Sequence, residues 1–126
     1  MKMQSQPSFI IVDDEPDMCW ALENLLRQEG FATQKAESGQ EALRLIESRR
    51  FKVAFLDVKL PDIDGIELAH RIKSVDATID IVIVSGYYYQ EDEPVQEALK
   101  QGLICAFVAK PYFHSDIVDL LRSLCP

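Results

Sequence analysis

A short apolar run, from Val53 to Leu56, ends directly in an acid, Asp57, and this pattern limits the folds that the chain can adopt. A continuous apolar run bounded by turn residues is typical of a β-strand buried on both faces. Such strands belong to open α/β sheets, which bind their ligands at the carboxyl ends of the strands. Because an uncompensated carboxylate is costly there, Asp57 indicates a functional site.

The same pattern recurs along the whole chain, where β-rich apolar runs alternate with segments of helical periodicity. The sequence predicts five strands, at Phe9–Val12, Phe31–Ala36, Val53–Leu56, Ile79–Val84 and Ala106–Ala109. It predicts five helices, from about Pro16 to Gly30, Ser38 to Arg50, Ile66 to Ser74, Pro94 to Gln101 and Ser115 to Leu124. Strands joined by helical crossovers form a doubly wound parallel sheet. A length of 126 residues fits a single domain, 1–126, with its core at about 8–124.

The helical periodicity predicts which side chains of the helices are buried, exposed or at a helix end. Ala21 and Val75 are expected on apolar, inward-facing stripes, and Trp20 on the exposed side of the first helix near the acids. Arg49 is expected in the last turn of the second helix, where positive charge complements the helix dipole. Ser115 is expected to be the N-cap of the last helix.

Composition excludes several classes of function. The net charge of -8, from 13 basic and 21 acidic residues, argues against nucleic-acid binding by this segment. Neither a membrane-spanning run nor a signal peptide is visible, so a soluble cytoplasmic protein with no membrane partner is expected. Cys19, Cys105 and Cys125 are interpreted as reduced structural thiols, and His70 and His114 as surface residues.

Polar side chains follow four of the predicted strands, at Asp13, Asp14, Asp57, Ser85 and Lys110. Three carboxylates within about 4–6 Å repel one another by several kcal/mol, so we expect a cation among them. Oxygen ligands without His or Cys favour Mg²⁺. A Mg²⁺ ion and a lysine together stabilise charge on a phosphoryl group, and Ser85 can donate to one of its oxygens. Asp57 is then the natural nucleophile for phosphoryl transfer.

Four motifs also carry a resemblance to a known family: Val12–Pro16, Leu56–Gly65, Ser85–Gly86 and Ala109–Pro111. Each is weak alone, but all four occur in order and each lies at a predicted strand end. From about Ser8 to Leu124 the chain resembles the receiver domains of two-component response regulators. The resemblance implies a flavodoxin-like (βα)5 fold with strand order 2-1-3-4-5. It implies a phosphorylation-dependent switch rather than an enzyme that turns over an external substrate.

The resemblance also implies roles for individual residues. Asp57 accepts a phosphoryl group from a sensor histidine kinase or a phosphotransfer protein, and Ser85 and Lys110 contact it. Mg²⁺ is held by Asp13, Asp14, Asp57 and the backbone carbonyl of Lys59. Phe107 is the aromatic switch residue, and the Lys110–Pro111 peptide is often cis. Phosphorylation then repacks the face made by helix 4, strand 5 and helix 5, changing effector or homodimer contacts.

The stretch after Ser85 departs from the family, because it holds three tyrosines, 87–89, followed by three acids. It is expected to be an extended surface loop, with a partner surface or a cap over the site as the sharper hypothesis. Lys59 and Tyr87 occupy the two positions that tune acyl phosphate hydrolysis in this family. A Lys59–Glu15 ion pair and shielding by Tyr87 predict a long-lived phosphorylated state.

Two other functions remain open at this point. A hydrolase that forms an aspartyl phosphate would want a second acid where Lys59 stands and a cap domain over the substrate. A receiver-like interaction module would signal without phosphorylation, and the altered loop keeps it in view. Asp62 and Asp64 are interpreted as turn residues that precede a helix, not as metal ligands.

Overall fold

A five-stranded parallel sheet with helices on both faces forms the protein in a computed structural model that describes residues 8–124. The strand order is β2-β1-β3-β4-β5, as predicted. The strands are β1 (Ser8–Val12), β2 (Ala32–Ala36), β3 (Val53–Leu56), β4 (Asp80–Ser85) and β5 (Ala106–Ala109). The helices are α1 (Pro16–Gln28), α2 (Gly39–Ser48), α3 (Gly65–Val75), α4 (Glu93–Lys100) and α5 (His114–Leu124).

The central strands supply alternate side chains to two separate apolar cores. In β1, Ile10 and Val12 pack into a core with α2, α3 and α4, whereas Phe9 and Ile11 pack into a core with α1 and α5. This alternation follows from the two-residue period of a strand, and it explains why the strands read as continuous apolar runs. Both cores hold the sheet rigid, so the positions of its carboxyl ends are fixed.

Two predicted buried positions on the helices are wrong. Ala21 is exposed, because the buried stripe of α1 passes through Cys19 and Leu22 instead. Val75 is 43% exposed, because it is the last residue of α3 and lines a surface groove at the helix end. Trp20 is 64% exposed, as predicted.

Two predicted helix ends are also wrong. The second helix ends at Ser48, and Arg49 adopts an extended backbone (φ -156°, ψ 162°), so it is not in the last turn. The last helix begins at His114, so Ser115 lies inside it. The side chain that serves this helix start is Asp116, whose Oδ2 accepts a hydrogen bond from the Phe113 N–H at 2.9 Å.

The loop between β3 and α3 (residues 57–64) is held by hydrogen bonds at both ends. Asp64 is the N-cap of α3, and its Oδ1 accepts from the Ile66 N–H at 2.8 Å. The Gly65 N–H donates to the Val58 carbonyl at 2.7 Å, and Lys59 and Asp64 form an antiparallel bridge. Asp64 is therefore a turn residue that precedes a helix, as predicted.

None of the helices between residues 8 and 124 combines the length and the apolarity needed to span a lipid bilayer.

Candidate functional site

Three carboxylates meet at the carboxyl edge of the sheet. Asp13 and Asp14 follow β1, and Asp57 follows β3, its neighbour in the sheet. The backbone fixes them, since the Asp13 N–H donates to the Ala36 carbonyl at 3.0 Å and the Asp57 N–H donates to the Val12 carbonyl at 2.9 Å. One carboxylate oxygen from each acid lies within 4.8 Å of those of the other two. The predicted convergence of these acids is confirmed.

Lys110 brings a positive charge to the same edge. Its Nζ lies 3.0 Å from Asp13 Oδ2, 3.8 Å from Glu15 Oε1 and 3.9 Å from Asp57 Oδ2. Burial lowers the pKa of Lys110, but the hydrogen bond and charge of Asp13, with those of Asp57 and Glu15, outweigh it and raise the pKa overall. Lys110 is therefore a permanent cation in the site. It precedes Pro111 through a cis peptide bond, as predicted.

Asp57 is only partly exposed at this edge of the sheet. Its Oδ1 accepts a hydrogen bond from the Val58 N–H at 2.8 Å. Burial raises the pKa of Asp57, the charge of Lys110 lowers it, and the charge of Asp13 raises it. The net effect is a pKa above the usual value for an aspartate, so the anion of Asp57 is less stable here than in water.

The donor set fits a hard divalent cation. The three acids Asp13, Asp14 and Asp57 supply only oxygen ligands, which Mg²⁺ prefers, and Asp14 is exposed enough for ligands to exchange with solvent. One lysine does not neutralise three carboxylates at these separations, so charge balance also favours a bound cation.

Ser85 ends β4 at the same edge and is fully buried. Its Oγ accepts hydrogen bonds from the backbone N–H groups of Tyr87, at 2.9 Å, and Tyr88, at 3.4 Å. Both bonds use the oxygen as acceptor, so the hydroxyl proton remains available for donation. Ser85 thus links the start of the β4–α4 loop to the carboxyl edge of the sheet.

The predicted ion pair between Lys59 and Glu15 is wrong. The Lys59 ammonium lies over the ring of Tyr87, 3.9 Å from its centroid, while Glu15 faces Lys110 instead. A lysine over an aromatic face gains electrostatic stabilisation at little desolvation cost. Tyr87 is 56% exposed and meets Tyr88 edge-on, with ring centroids 4.9 Å apart. The contact therefore joins the β3–α3 and β4–α4 loops.

Phe107, on the edge strand β5, is half-buried and packs against the core that α2, α3 and α4 share. Strand β5 is uncovered along one side, where a groove of about 590 Å³ runs beside α5. The groove is lined by Ala106, Phe107, Val108, Ala109, Pro111, Phe113, Asp116, Asp119 and Leu120.

A family model described as the response regulator receiver domain matches residues 9–122. This chain belongs to that family. Sporulation initiation phosphotransferase F of Bacillus subtilis is 32% identical over 117 residues, which are 93% of this chain and 92% of that protein. The transcriptional regulatory protein ZraR of Escherichia coli O157:H7 is 33% identical over 114 residues, 90% of this chain but only 25% of ZraR.

Solved structures agree with this assignment. A CheY-like response regulator receiver domain protein from Methanospirillum hungatei has a TM-score of 0.86 at 25% identity, covering 94% of this chain and 93% of its own. The response regulator TrrA of Thermotoga maritima, in complex with Mg²⁺ and BeF, has a TM-score of 0.81 at 25% identity, covering 94% and 98%. The chain is thus a receiver domain of the two-component systems, a phosphorylation-dependent signalling switch, and such domains are generally non-enzymatic modules.

Two further contacts near the acids were not predicted from the sequence. Gly65 lies so close to the loop before it that an added Cβ would collide with the Asp57 carbonyl oxygen and lie 2.7 Å from Val58 Cα. The Cys19 thiol donates to the Asp13 carbonyl at 3.1 Å. The Asp64-Gly65 pair signalled a turn, but sequence alone does not reveal how closely a turn packs against the site.

Proposed function

We propose that this receiver domain accepts a phosphoryl group on Asp57 from a phosphohistidine of a sensor histidine kinase or a phosphotransfer protein. The observation that carries the proposal is the position of Asp57, which ends a buried strand with Lys110 Nζ 3.9 Å away and two more acids beside it. Asp57 would supply the oxygen that bonds to phosphorus. Lys110 and a bound Mg²⁺ would balance the negative charge that arises during transfer.

In the transfer step, a carboxylate oxygen of Asp57 attacks phosphorus while the P–N bond of the phosphohistidine breaks. The bonding electron pair leaves with the imidazole nitrogen, and an acyl phosphate is left on Asp57. Lys110 faces the growing negative charge on the phosphoryl oxygens, and its Nζ needs only a short displacement from Asp13. The step changes no oxidation state, so it needs no oxidant or reductant, and the phosphohistidine is its only co-substrate.

A Mg²⁺ ion would be held by Asp13, Asp14, Asp57 and the backbone carbonyl of Lys59. When bound, it neutralises charge on the acids and on the phosphoryl oxygens. Asp13 would hold the ion while it accepts a hydrogen bond from Lys110 Nζ at 3.0 Å, and this bond keeps the amine near Asp57.

We propose that Ser85 and Phe107 move when Asp57 is phosphorylated, and that their movement changes the surface on the β5 side. When Ser85 donates its hydroxyl proton to a phosphoryl oxygen, its hydrogen bonds to Tyr87 and Tyr88 shift, and the β4–α4 loop moves with them. The space so opened lets Phe107 move inward. The groove on the β5 side then repacks, which alters effector contacts or a homodimer formed through α4, β5 and α5.

Other features of the proposal concern the setting of the switch. We propose that residues 1–126 form one domain, which acts in the cytoplasm, binds no nucleic acid by itself and does not turn over an external substrate. Exposed Tyr87 and Tyr89 make the β4–α4 loop a candidate surface for the kinase or another partner protein.

Beryllofluoride, which mimics a phosphoryl group, provides the direct test. Adding Mg²⁺ and then beryllofluoride is expected to change the fluorescence of Trp20, which lies in α1 just after the acidic residues. Beryllofluoride with EDTA, and fluoride without beryllium, should give no such change. A chain that does not respond with Mg²⁺ present would contradict the proposal and would favour an interaction module that works without phosphorylation.

The phosphorylated state is expected to be long-lived, because Tyr87 and the Lys59 side chain over it restrict the approach of water to Asp57. Replacing Tyr87 by Ala should shorten the half-life of the acyl phosphate, measured by loss of radioactive phosphate after the donor is removed. Tyr89→Ala removes a similarly exposed ring outside this contact and serves as the control. A wild-type half-life of seconds would contradict the prediction.

A further inference from the structure

Asp62 connects the β3–α3 loop to a helix that precedes it by more than twenty residues. Its Oδ1 lies 2.9 Å from the Gly39 N–H and its Oδ2 2.9 Å from the Gln40 N–H. These are among the first N–H groups of α2, which have no acceptor within the helix. The two bonds lower the pKa of Asp62, so the carboxylate is charged at neutral pH and faces the positive end of the helix dipole.

Apolar packing accompanies these hydrogen bonds. A Cβ on Gly39 would collide with a methyl group of Ile63 and lie 3.5 Å from Leu68. The start of α2 therefore fits closely against the loop, with Asp62 and Ile63 holding it on both the polar and the apolar side. This contact needs a glycine at position 39 because of space, not because of its backbone conformation.

The β3–α3 loop connects Asp62 to Lys59, the residue next to the proposed magnesium site. The Lys59–Asp64 bridge and the bond from the Gly65 N–H to the Val58 carbonyl close the loop on itself, with Asp62 near its tip. A loop closed in this way moves as one piece. Fixing its tip to α2 therefore restricts Lys59, which lies two residues after Asp57.

We propose that Asp62 is a positioning residue for the magnesium site, which it orders by fastening the loop that carries the Lys59 carbonyl to the start of α2. This inference rests on the proposed function, since it concerns the same site. It differs from the assignment of Asp62 as a turn residue, because it makes Mg²⁺ affinity depend on a contact outside the site.

Ser38 offers a matched control at the same helix end. Its Oγ accepts from the Glu41 N–H at 3.2 Å and caps α2, and among the described residues it makes no hydrogen bond to the loop. Asp62→Ala and Ser38→Ala should both lower the urea midpoint, since each removes a cap. Only Asp62→Ala should weaken Mg²⁺ binding, by about tenfold in Kd from Trp20 fluorescence, as is found for groups that orient metal ligands. Asp62→Asn, which keeps one acceptor, should fall between wild type and Asp62→Ala.

Hydrogen–deuterium exchange on the metal-free chain gives a second readout that needs no activity. Residues 58–65 should exchange faster in Asp62→Ala than in wild type, and at the wild-type rate in Ser38→Ala. If wild type and Asp62→Ala bind Mg²⁺ equally well, the role given to Asp62 is wrong while the proposed function stands. The same holds if wild type binds Mg²⁺ and Asp62→Ala leaves the exchange of residues 58–65 unchanged. If wild type binds no Mg²⁺, the proposed function fails together with it.

Discussion

Asp57→Asn is expected to abolish the uptake of a phosphoryl group. Incubated with Mg²⁺ and a small donor such as acetyl phosphate, wild type should gain one phosphoryl group and the variant none, as measured by intact-protein mass spectrometry. The physical reason is that an amide at position 57 has no anionic oxygen to attack phosphorus. The change is nearly isosteric, so the fold should be retained. The Trp20 response to beryllofluoride should disappear as well.

Asp64→Asn is the matched control for this prediction. It also removes one negative charge from the β3–α3 loop, but asparagine is as good an N-cap as aspartate, so the bond to the Ile66 N–H is kept. This variant should be phosphorylated at close to the wild-type rate. If Asp57→Asn were phosphorylated to the same extent as wild type, Asp57 would not be the acceptor.

Gly65→Ala is expected to have the largest effect on stability. The new methyl group would meet the Asp57 carbonyl and Val58 Cα, both backbone atoms that cannot rotate away. Overpacking of this kind costs about 1–3 kcal/mol, a large part of the roughly 5–15 kcal/mol that stabilises a domain. Urea denaturation followed by circular dichroism measures the loss. Because the displaced atoms belong to Asp57 and its neighbour, phosphorylation should slow down too.

Gly86→Ala tests whether the effect is specific to position 65. Gly86 lies at the same edge of the sheet, but a Cβ there would come no closer than 3.7 Å to Lys110 Cβ, an ordinary van der Waals contact. Its unfolding free energy should stay close to that of wild type. Equal losses in the two variants would contradict the role given to the close contact at Gly65.

Short-range patterns in the sequence were sufficient to predict the sheet and the acids of the site. The run from Val53 to Leu56 is apolar throughout because both of its faces are buried, and the residue that follows it must lie at the sheet edge. The same logic placed Asp13, Ser85 and Lys110. These predictions depend only on where a strand ends, which is a local property of the chain.

The contacts that sequence analysis missed depend on distances between loops. The bond between Asp62 and the Gly39 N–H joins residues 23 positions apart, and no local pattern marks it. Lys59 has a long, flexible side chain within reach of more than one partner, so its choice of Tyr87 over Glu15 was not predictable from charge alone. The predicted end of the second helix was wrong for a different reason, because Arg49 adopts an extended backbone conformation that its residue type does not reveal.

Chemical trapping shows directly which residue carries the phosphoryl group. A loss of phosphorylation in a variant can arise indirectly, whereas borohydride reduces an acyl phosphate to an alcohol at the residue that carried it. After phosphorylation with Mg²⁺ and a small donor, reduction and peptide mass spectrometry should find homoserine at position 57 and unmodified aspartate at Asp13, Asp14, Asp62 and Asp64. Homoserine at any of those four positions, or unreduced Asp57 in a phosphorylated chain, would show that Asp57 is not the phosphoacceptor.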